Sequence, residues 1–300
     1  MAIASDSFAG VDLSRLPAPW VVEPHDFETI YADAVAQFQQ LFPAFDATVE
    51  SDPVVKLIQL FAYRELVVRQ RVNDAARAVM VAYAVGADLD ALAALFGVER
   101  FLLSPADEEN HIPAVYESDD DLRRRLVLAP EGFSVAGPEG AYIYHALSAS
   151  SDVLDASATS PEPGEVVVSV LSRTGDGTAP PETLAAVNAK LSDQGIRPLT
   201  DHVTVQSAEI VDFAIAATLY FFSGPDRSVV LATAQAQLDD YLATSRKLGR
   251  DITRAGIIAA LHPEGVQNVV LTSPPADVVL TRQQAQHCTG ITITDSGVGE

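Results

Sequence analysis

Bases are scarce in this chain: 19 Lys and Arg stand against 41 Asp and Glu, a net charge of −22 over 300 residues. Nucleic acid and anionic membrane surfaces are recognised through clustered cations, so neither is expected as a partner. Cysteine is almost absent, and Cys288 alone cannot close an internal disulfide, which fits a reducing compartment at synthesis. No apolar run approaches the ~20 residues of a bilayer span, and no basic stretch leading into an apolar one opens the sequence. A soluble chain without a signal peptide is expected. The six histidines (His25, His111, His145, His202, His262 and His287) show no HxH or HExxH spacing. His287 and Cys288 adjoin but lack further ligands of their kind nearby, so no metal and no cofactor is expected. Hydrophobic residues nevertheless reach 48%, which excludes disorder and allows two sizeable cores.

Catalytic motifs are lacking too. Gly132-Phe133-Ser134-Val135-Ala136 imitates a nucleophile elbow, but a helix and Pro130 precede it where a strand is required, and Gly137-Pro138 follow where a helix should begin. Gly175-Asp176-Gly177-Thr178 lies between a strand and a helix without the Gly-Lys-Ser/Thr ending of a phosphate loop. Pro180-Pro181 removes two N–H groups that would face an anion. An acidic chain offers too many chance carboxylate pairs to single one out. No catalytic residue and no small-molecule substrate is expected; a hydrolase or nucleotide-binding enzyme is the competing reading.

What is abundant is helix-forming sequence around Asp52–Arg100. Asp52 can cap and Pro53 suits the first helical position. No Gly or Pro then intervenes until Gly86, which predicts a helix of more than thirty residues, roughly 50 Å long. Apolar residues recur at Val54, Leu57, Ile58, Phe61, Val68, Val72, Ala75, Val79 and Ala82, and Leu60, Tyr63, Val67 and Ala78 widen that stripe beyond what one partner helix covers. Lys56, Arg64, Arg69, Arg71 and Arg77 outnumber Glu65 and Asp74, a local excess of bases in an acidic chain. Glu65–Arg69 and Asp74–Arg77 are suitably spaced pairs; Lys56, Arg64 and Arg71 lack an obvious local partner. That face is either solvated or a docking surface for acidic chains. A shorter helix from Asp88 ends at Gly97.

Around this helix the chain divides as follows. Residues 1–25 form an arm, rich in Pro and holding the single Trp20; it lies either on its own chain or on a neighbour. Residues 26–130 form the helical region, with a helix over Asp26–Phe42. Ser118 and Asp121 mark a helix start, and Arg123-Arg124-Arg125 cannot share one face, so they read as a solvated helix start rather than a phosphate site. The Pro- and Gly-rich residues 130–140 suggest a domain boundary. A mixed α/β region spans 131–281, with halves at 131–208 and 209–281, before a tail at 282–300. Val153–Pro161 and Val266–Pro274 echo one another, each after a helix ending in Ala-Leu, too faintly to establish a duplication. The fold class expected is α+β: an N-terminal helical region with one very long helix, then the mixed α/β region.

Taken in order, Asp52-Pro53, Ala62-Tyr63-Arg64-Glu65, Arg71-Val72-Asn73, Gly86 with Leu89-Asp90, Gly97-Val98, Asp119–Arg125, Ala129–Gly140, Val153–Pro161, Gly175–Thr178, Arg197-Pro198-Leu199-Thr200 and Cys288-Thr289-Gly290-Ile291 resemble the baseplate assembly protein J family of contractile-tailed phages. The series covers nearly the whole chain. The resemblance implies a structural wedge subunit of a phage tail or a phage-derived contractile bacteriocin (a tailocin), present in the baseplate and assembled in the bacterial cytoplasm. It implies as partners a second copy of the chain, a smaller wedge protein (protein I), and neighbouring hub or sheath-initiator proteins. It places the N-terminal helices in a shared bundle and pairs the C-terminal domains to close a six-fold ring. Trp20, Leu57, Phe61, Arg64, Val68, Arg71 and Val72 are the expected interface residues.

Overall fold

The computed structural model describes residues 13, 16–17, 20–21, 26–46, 49–193, 195–224 and 226–298. The chain forms two compact units, one from Val11–Glu99 with Ser118–Arg123, the other holding 100–117 and the described residues from 124 onward.

The first unit is helical. Asp26 caps α1 (Phe27–Leu41) by accepting the Thr29 N–H at 2.7 Å, and Asp52 caps α2 (Pro53–Ala78) by accepting the Val54 N–H at 2.7 Å. The two helices pack together over Ile30, Val55, Ile58 and Ala62. In α3 (Gly86–Ala94), Leu89 and Ala93 are buried; the left-handed Gly97 (φ 68°) turns the chain so that the Val98 N–H returns to Ala93 O.

One expectation fails here. The helix predicted to pass thirty residues ends after 26, at Ala78. Met80 N–H bonds to Arg77 O, and Tyr83 and Ala84 N–H both turn back to Met80 O. Arg123 fixes this exit by donating from Nε to Val81 O and from Nη2 to Ala84 O, both at 2.8 Å. Val79 and Val81 are β-branched and resist helix only weakly, so the stop comes from a distant arginine, not a local breaker.

In the second unit, β1 (Leu102–Ser104) and β2 (Val115–Tyr116) form a small hairpin. α4 (Asp119–Leu128) contributes its second half. A 3-10 turn (Ala129–Phe133) and α5 (Glu139–Leu147) lead into β3 (Val153–Thr159), β4 (Glu165–Ser172), α6 (Pro181–Leu191) and β5 (His202–Ser207). These strands make a sheet in the order β3-β4-β5, with β3/β4 antiparallel and β4/β5 parallel. A second sheet, ordered β7-β6-β8, is built from β6 (Glu209–Phe221), β7 (Val266–Ser273) and β8 (Gln284–Val298), with α7 (Arg227–Ser245) and α8 (Arg254–Ala260) between β6 and β7. β6/β7 is antiparallel and β6/β8 parallel. The segments β3 and β7, which echo one another in sequence, thus take the same place, an antiparallel edge strand after a helix, though the chain order differs around them. Alternate residues of β6 (Phe213, Ile215, Ala217, Leu219, Phe221) meet Val230, Ala234 and Leu238 of α7 in the core.

The three arginines expected to be solvated are instead committed to separate partners. Arg123 holds the turn after α2. Arg124 Nη2 reaches the buried Asp155 at 2.5 Å. Arg125 is buried against Glu117, Nε to Oε1 at 2.8 Å and Nη2 to Oε2 at 2.5 Å, while its guanidinium lies 4.1 Å from the Phe101 ring centre. Glu117 Oε2 also accepts the Phe101 N–H at 3.1 Å. Stranding one member of a buried pair costs about 3–5 kcal/mol, whereas replacing both with apolar residues is often neutral. Glu117→Ala should therefore lower unfolding free energy by about 3 kcal/mol, and Glu117→Leu with Arg125→Met by much less. Urea denaturation of the two variants checks this; equal losses would show that the pair is not what holds the hairpin to α4.

His145 of α5 is buried with Nε2 unpartnered. Burial lowers its pKa, the Lys190 charge adds to this, and a backbone bond with Gly132 opposes both. The unfolded chain therefore binds this proton more readily, and stability falls as pH drops through the unfolded value of about 6.5. His145→Gln should lose less stability than the parent between about pH 7.5 and 5.5, a difference that paired urea titrations measure.

Candidate assembly interface

With roughly 100° between successive residues, Val55, Ile58, Ala62 and Asn73 fall on one side of α2, and all are buried. The same side receives what is described of the N-terminal arm. The buried Asn73 Oδ1 accepts the Val21 N–H at 3.0 Å, and Arg77 lies 4.5 Å from the Trp20 ring centre. Tyr83, beyond the helix end, donates to Leu16 O at 2.6 Å. The arm's described residues thus lie on their own chain; the rest of segment 1–25 is outside the described residues.

The opposite sector, ~100° wide, carries Leu57, Phe61, Arg64, Val68, Arg71 and Val72, and every one is exposed. Phe61 is 67% exposed and Val68 59%. Leu60, Tyr63 and Val67 extend this apolar surface along one flank. Six of the seven residues expected at an interface therefore share one open face. Trp20 does not; it lies on the covered side, stacked under Arg77. Ala75 belongs to the open sector as well, at the spacing of the same stripe.

Charge on this face is one-sided. Arg69 is bound to Glu65 at 2.7 Å, and Lys56 to the Gln59 side chain at 3.0 Å. Among the described residues, Arg64 and Arg71 make no hydrogen bond or ion pair, and no acid lies within the sector. They stand seven residues apart, ~10.5 Å along the axis. The expected Asp74–Arg77 pair is not formed among the described residues, because the Arg77 guanidinium is drawn over Trp20.

Neither glycine-rich segment builds an active site. A Cβ at Gly132 would sit 2.2 Å from the Tyr144 ring, so glycine is required there for packing, and Ser134 Oγ only accepts the Ala136 N–H at 3.3 Å. Asp176 accepts the Thr178 N–H, which holds its carboxyl below the usual range, and Gly175 O is taken by Arg246. Burial pushes the Cys288 thiol up, away from a reactive thiolate. Among the described residues, no helix is long and apolar enough to cross a membrane, and no group of three or more His, Cys, Asp or Glu could hold a metal ion.

The chain matches the Baseplate J-like N-terminal domain over residues 50–107, the Baseplate J-like central domain over 134–207 and the Baseplate J-like protein C-terminal domain over 213–294. It is 48% identical over 299 residues to baseplate protein J of Escherichia phage P2, covering 97% of this chain and 99% of that protein. Among solved structures, a chain of the six-fold symmetrised anti-feeding prophage (AFP) baseplate is 16% identical with a TM-score of 0.40, over 61% of this chain and 44% of that one. The open face of α2 lies within the first of the three matched domains, the first sheet within the second, and the second sheet, but for the ends of β6 and β8, within the third. Together with the near full-length identity, they establish that this chain belongs to the baseplate J family, structural proteins of the phage baseplate rather than enzymes.

Proposed function

We propose that the protein is a wedge subunit of a contractile phage tail or tailocin baseplate, and that the open face of α2 is its principal assembly surface. In this reading two copies combine with one copy of a smaller wedge protein. Their helices cover Leu57, Phe61, Val68 and Val72, and partner carboxylates reach Arg64 and Arg71. Six such units ring the tail hub, where hub and sheath-initiator proteins are neighbours, after assembly in the bacterial cytoplasm. Trp20 lies on the other side of α2 and offers a neighbouring subunit a separate contact through the exposed part of its ring.

The single observation that carries this is the two-sided packing of α2. One side is already buried by its own chain, and the other presents a contiguous apolar surface, which in a water-exposed protein marks an interaction site. Two arginines without counter-ions sit on that surface in a chain of net charge −22, so they are the natural contacts for acidic side chains that the rest of the protein would repel.

Truncating an arginine that is desolvated against a carboxylate costs about 2–5 kcal/mol of association, because its partner is left buried and unpaired; at a solvated face the change stays within about 0.5 kcal/mol. Arg64→Ala, Arg71→Ala and Phe61→Ala should therefore each weaken wedge-complex formation at least tenfold while leaving helical content unchanged by circular dichroism. Co-purification with the neighbouring wedge proteins measures it. Parent-like assembly by all three variants would mean that α2 is not the assembly helix.

A further inference from the structure

The β1/β2 hairpin presents a surface that nothing above has used. Leu102 stands opposite Tyr116, and further out Asp107 and Ile112 exchange both backbone hydrogen bonds at 2.9 Å. Its base is held by the Glu117 N–H, which donates to Phe101 O, and by Arg100 Nη1, which donates to Glu117 O. At the tip Asp107 Oδ1 accepts the Glu109 and Asn110 N–H groups, both at 3.1 Å, and Oδ2 accepts from Asn110 Nδ2 at 2.8 Å. The Asn110 bonds hold the Asp107 carboxyl below its usual range. Glu108 and Glu109 are left exposed, and among the described residues neither carboxylate has a hydrogen bond or ion pair.

No Lys or Arg occurs in residues 101–122, and Leu102, Ile112, Val115 and Tyr116 are each about half exposed. A two-stranded hairpin is marginal in water by itself; an acidic one with open apolar side chains is completed by a surface both apolar and basic. The open side of α2 has such a surface. At ~100° per residue it resolves into two adjoining stripes, each ~60° wide. Leu57, Phe61, Val68 and Val72 make one, which is wholly apolar. Leu60, Arg64, Val67 and Arg71 make the other, and no acid falls within it. Leu60 and Val67 are exposed, each one turn before an arginine.

We propose that the hairpin tip of one copy docks on the arginine-bearing stripe of α2 in a second copy, Glu108 and Glu109 against Arg64 and Arg71, with Ile112 over Val67. The proposal rests on the reading of α2 as an assembly surface, and it names the source of the carboxylates that meet the arginines. Charge complementarity selects the second copy: a hairpin without a base meets a stripe without an acid, in a chain whose net −22 otherwise repels its own kind. The dimensions agree. Arg64 and Arg71 stand ~10.5 Å apart along the axis and the α-carbons of Glu108 and Glu109 ~3.8 Å, a difference that four long side chains close. Val67 lies between the arginines as Ile112 lies beside the tip. Because the two patches are unlike, the contact is heterologous, the kind that can continue around a ring instead of stopping at a pair. The wholly apolar stripe stays free for partner helices.

The test uses the full chain with Cys288→Ser in two separately tagged preparations, one carrying Ile112→Cys and the other Val67→Cys. They are mixed, assembled with the neighbouring wedge proteins and treated with a short thiol-specific cross-linker, and the doubly tagged product is quantified. Its yield is expected at least tenfold above that of Ile112→Cys with Val72→Cys, a position ~140° round the helix from Val67. Equal yields from the two pairs, no doubly tagged product, or linkage only to a different protein would each overturn the proposal. Charge reversal is the second measure. Glu108→Arg with Glu109→Arg should weaken assembly at least tenfold, as should Arg64→Glu with Arg71→Glu, both with unchanged circular dichroism. The chain carrying all four changes should assemble like the parent. Parent-like assembly by the hairpin variant, or no recovery in the fourfold variant, would sink the pairing. If the arginine variants alone fail, α2 stands as an assembly surface and only its occupant is wrong; if neither pair fails, both readings fall.

Discussion

Asp155 has no solvent access, and three segments of the larger unit meet at its carboxylate. Oδ1 accepts from Arg124 of α4 and from the Ala156 N–H of its own strand, while Oδ2 accepts the Leu248 N–H that follows α7. A charge in this position survives only because each oxygen is matched by a donor; stranding it would cost about 3–5 kcal/mol. The geometry makes the two sheets one body. Around it Ser157 Oγ donates to Arg282 O, the Ala208 N–H to Val170 O and the Glu209 N–H to Gln283 O, while Leu171, Ala208, Leu248 and Ala285 close a shared apolar layer. β5 therefore runs on into β6 with β4 on one side and β8 on the other. Two separately matched family domains, over 134–207 and 213–294, are in this chain a single compact unit.

The helical unit is built on the opposite principle. Its own packing uses one side of α2 and leaves the other to water, so the helix itself divides a packed side from a solvated one. Such an arrangement keeps the chain's core intact in the absence of partners while leaving Phe61 and its neighbours solvated at an energetic cost. Charge follows the same division: Arg64 and Arg71 stand on the solvated side, and no acid falls within that sector of α2.

Much of this was legible in the residues. Periodicity placed α1 to within a residue at each end, and residues 131–281 read as a mixed α/β region, where every strand of the two sheets but β8 lies. The open face of α2 was legible for the same reason: its apolar stripe was too wide for a single partner. Three features were not legible. The end of α2 depends on Arg123, whose carbonyl partners lie about forty positions earlier, and no local signal marks it. The fates of Arg124 and Arg125 depend on Asp155 and Glu117, and an arginine run with acids before it looks solvated until those acids are seen to be buried. β8 looked like a tail because Thr-Gly-Ile-Thr-Ile-Thr has little apolar content; only its parallel register with β6 makes it a strand.

The Arg123 contact also gives α2 a defined length. A helix of 26 residues is a spacer of ~39 Å, and its far end is set by a guanidinium on another segment rather than by its own sequence. Length and facing are then separate variables. Removing seven residues from the middle would shorten the spacer by ~10 Å while turning its face by only ~20°, whereas removing five would turn the face by ~140°. Insertions and deletions in this helix are thus unequal in effect: a change of about seven or eleven residues alters its reach while all but preserving the direction of its open side, whereas a change of about five carries that side most of the way round the axis.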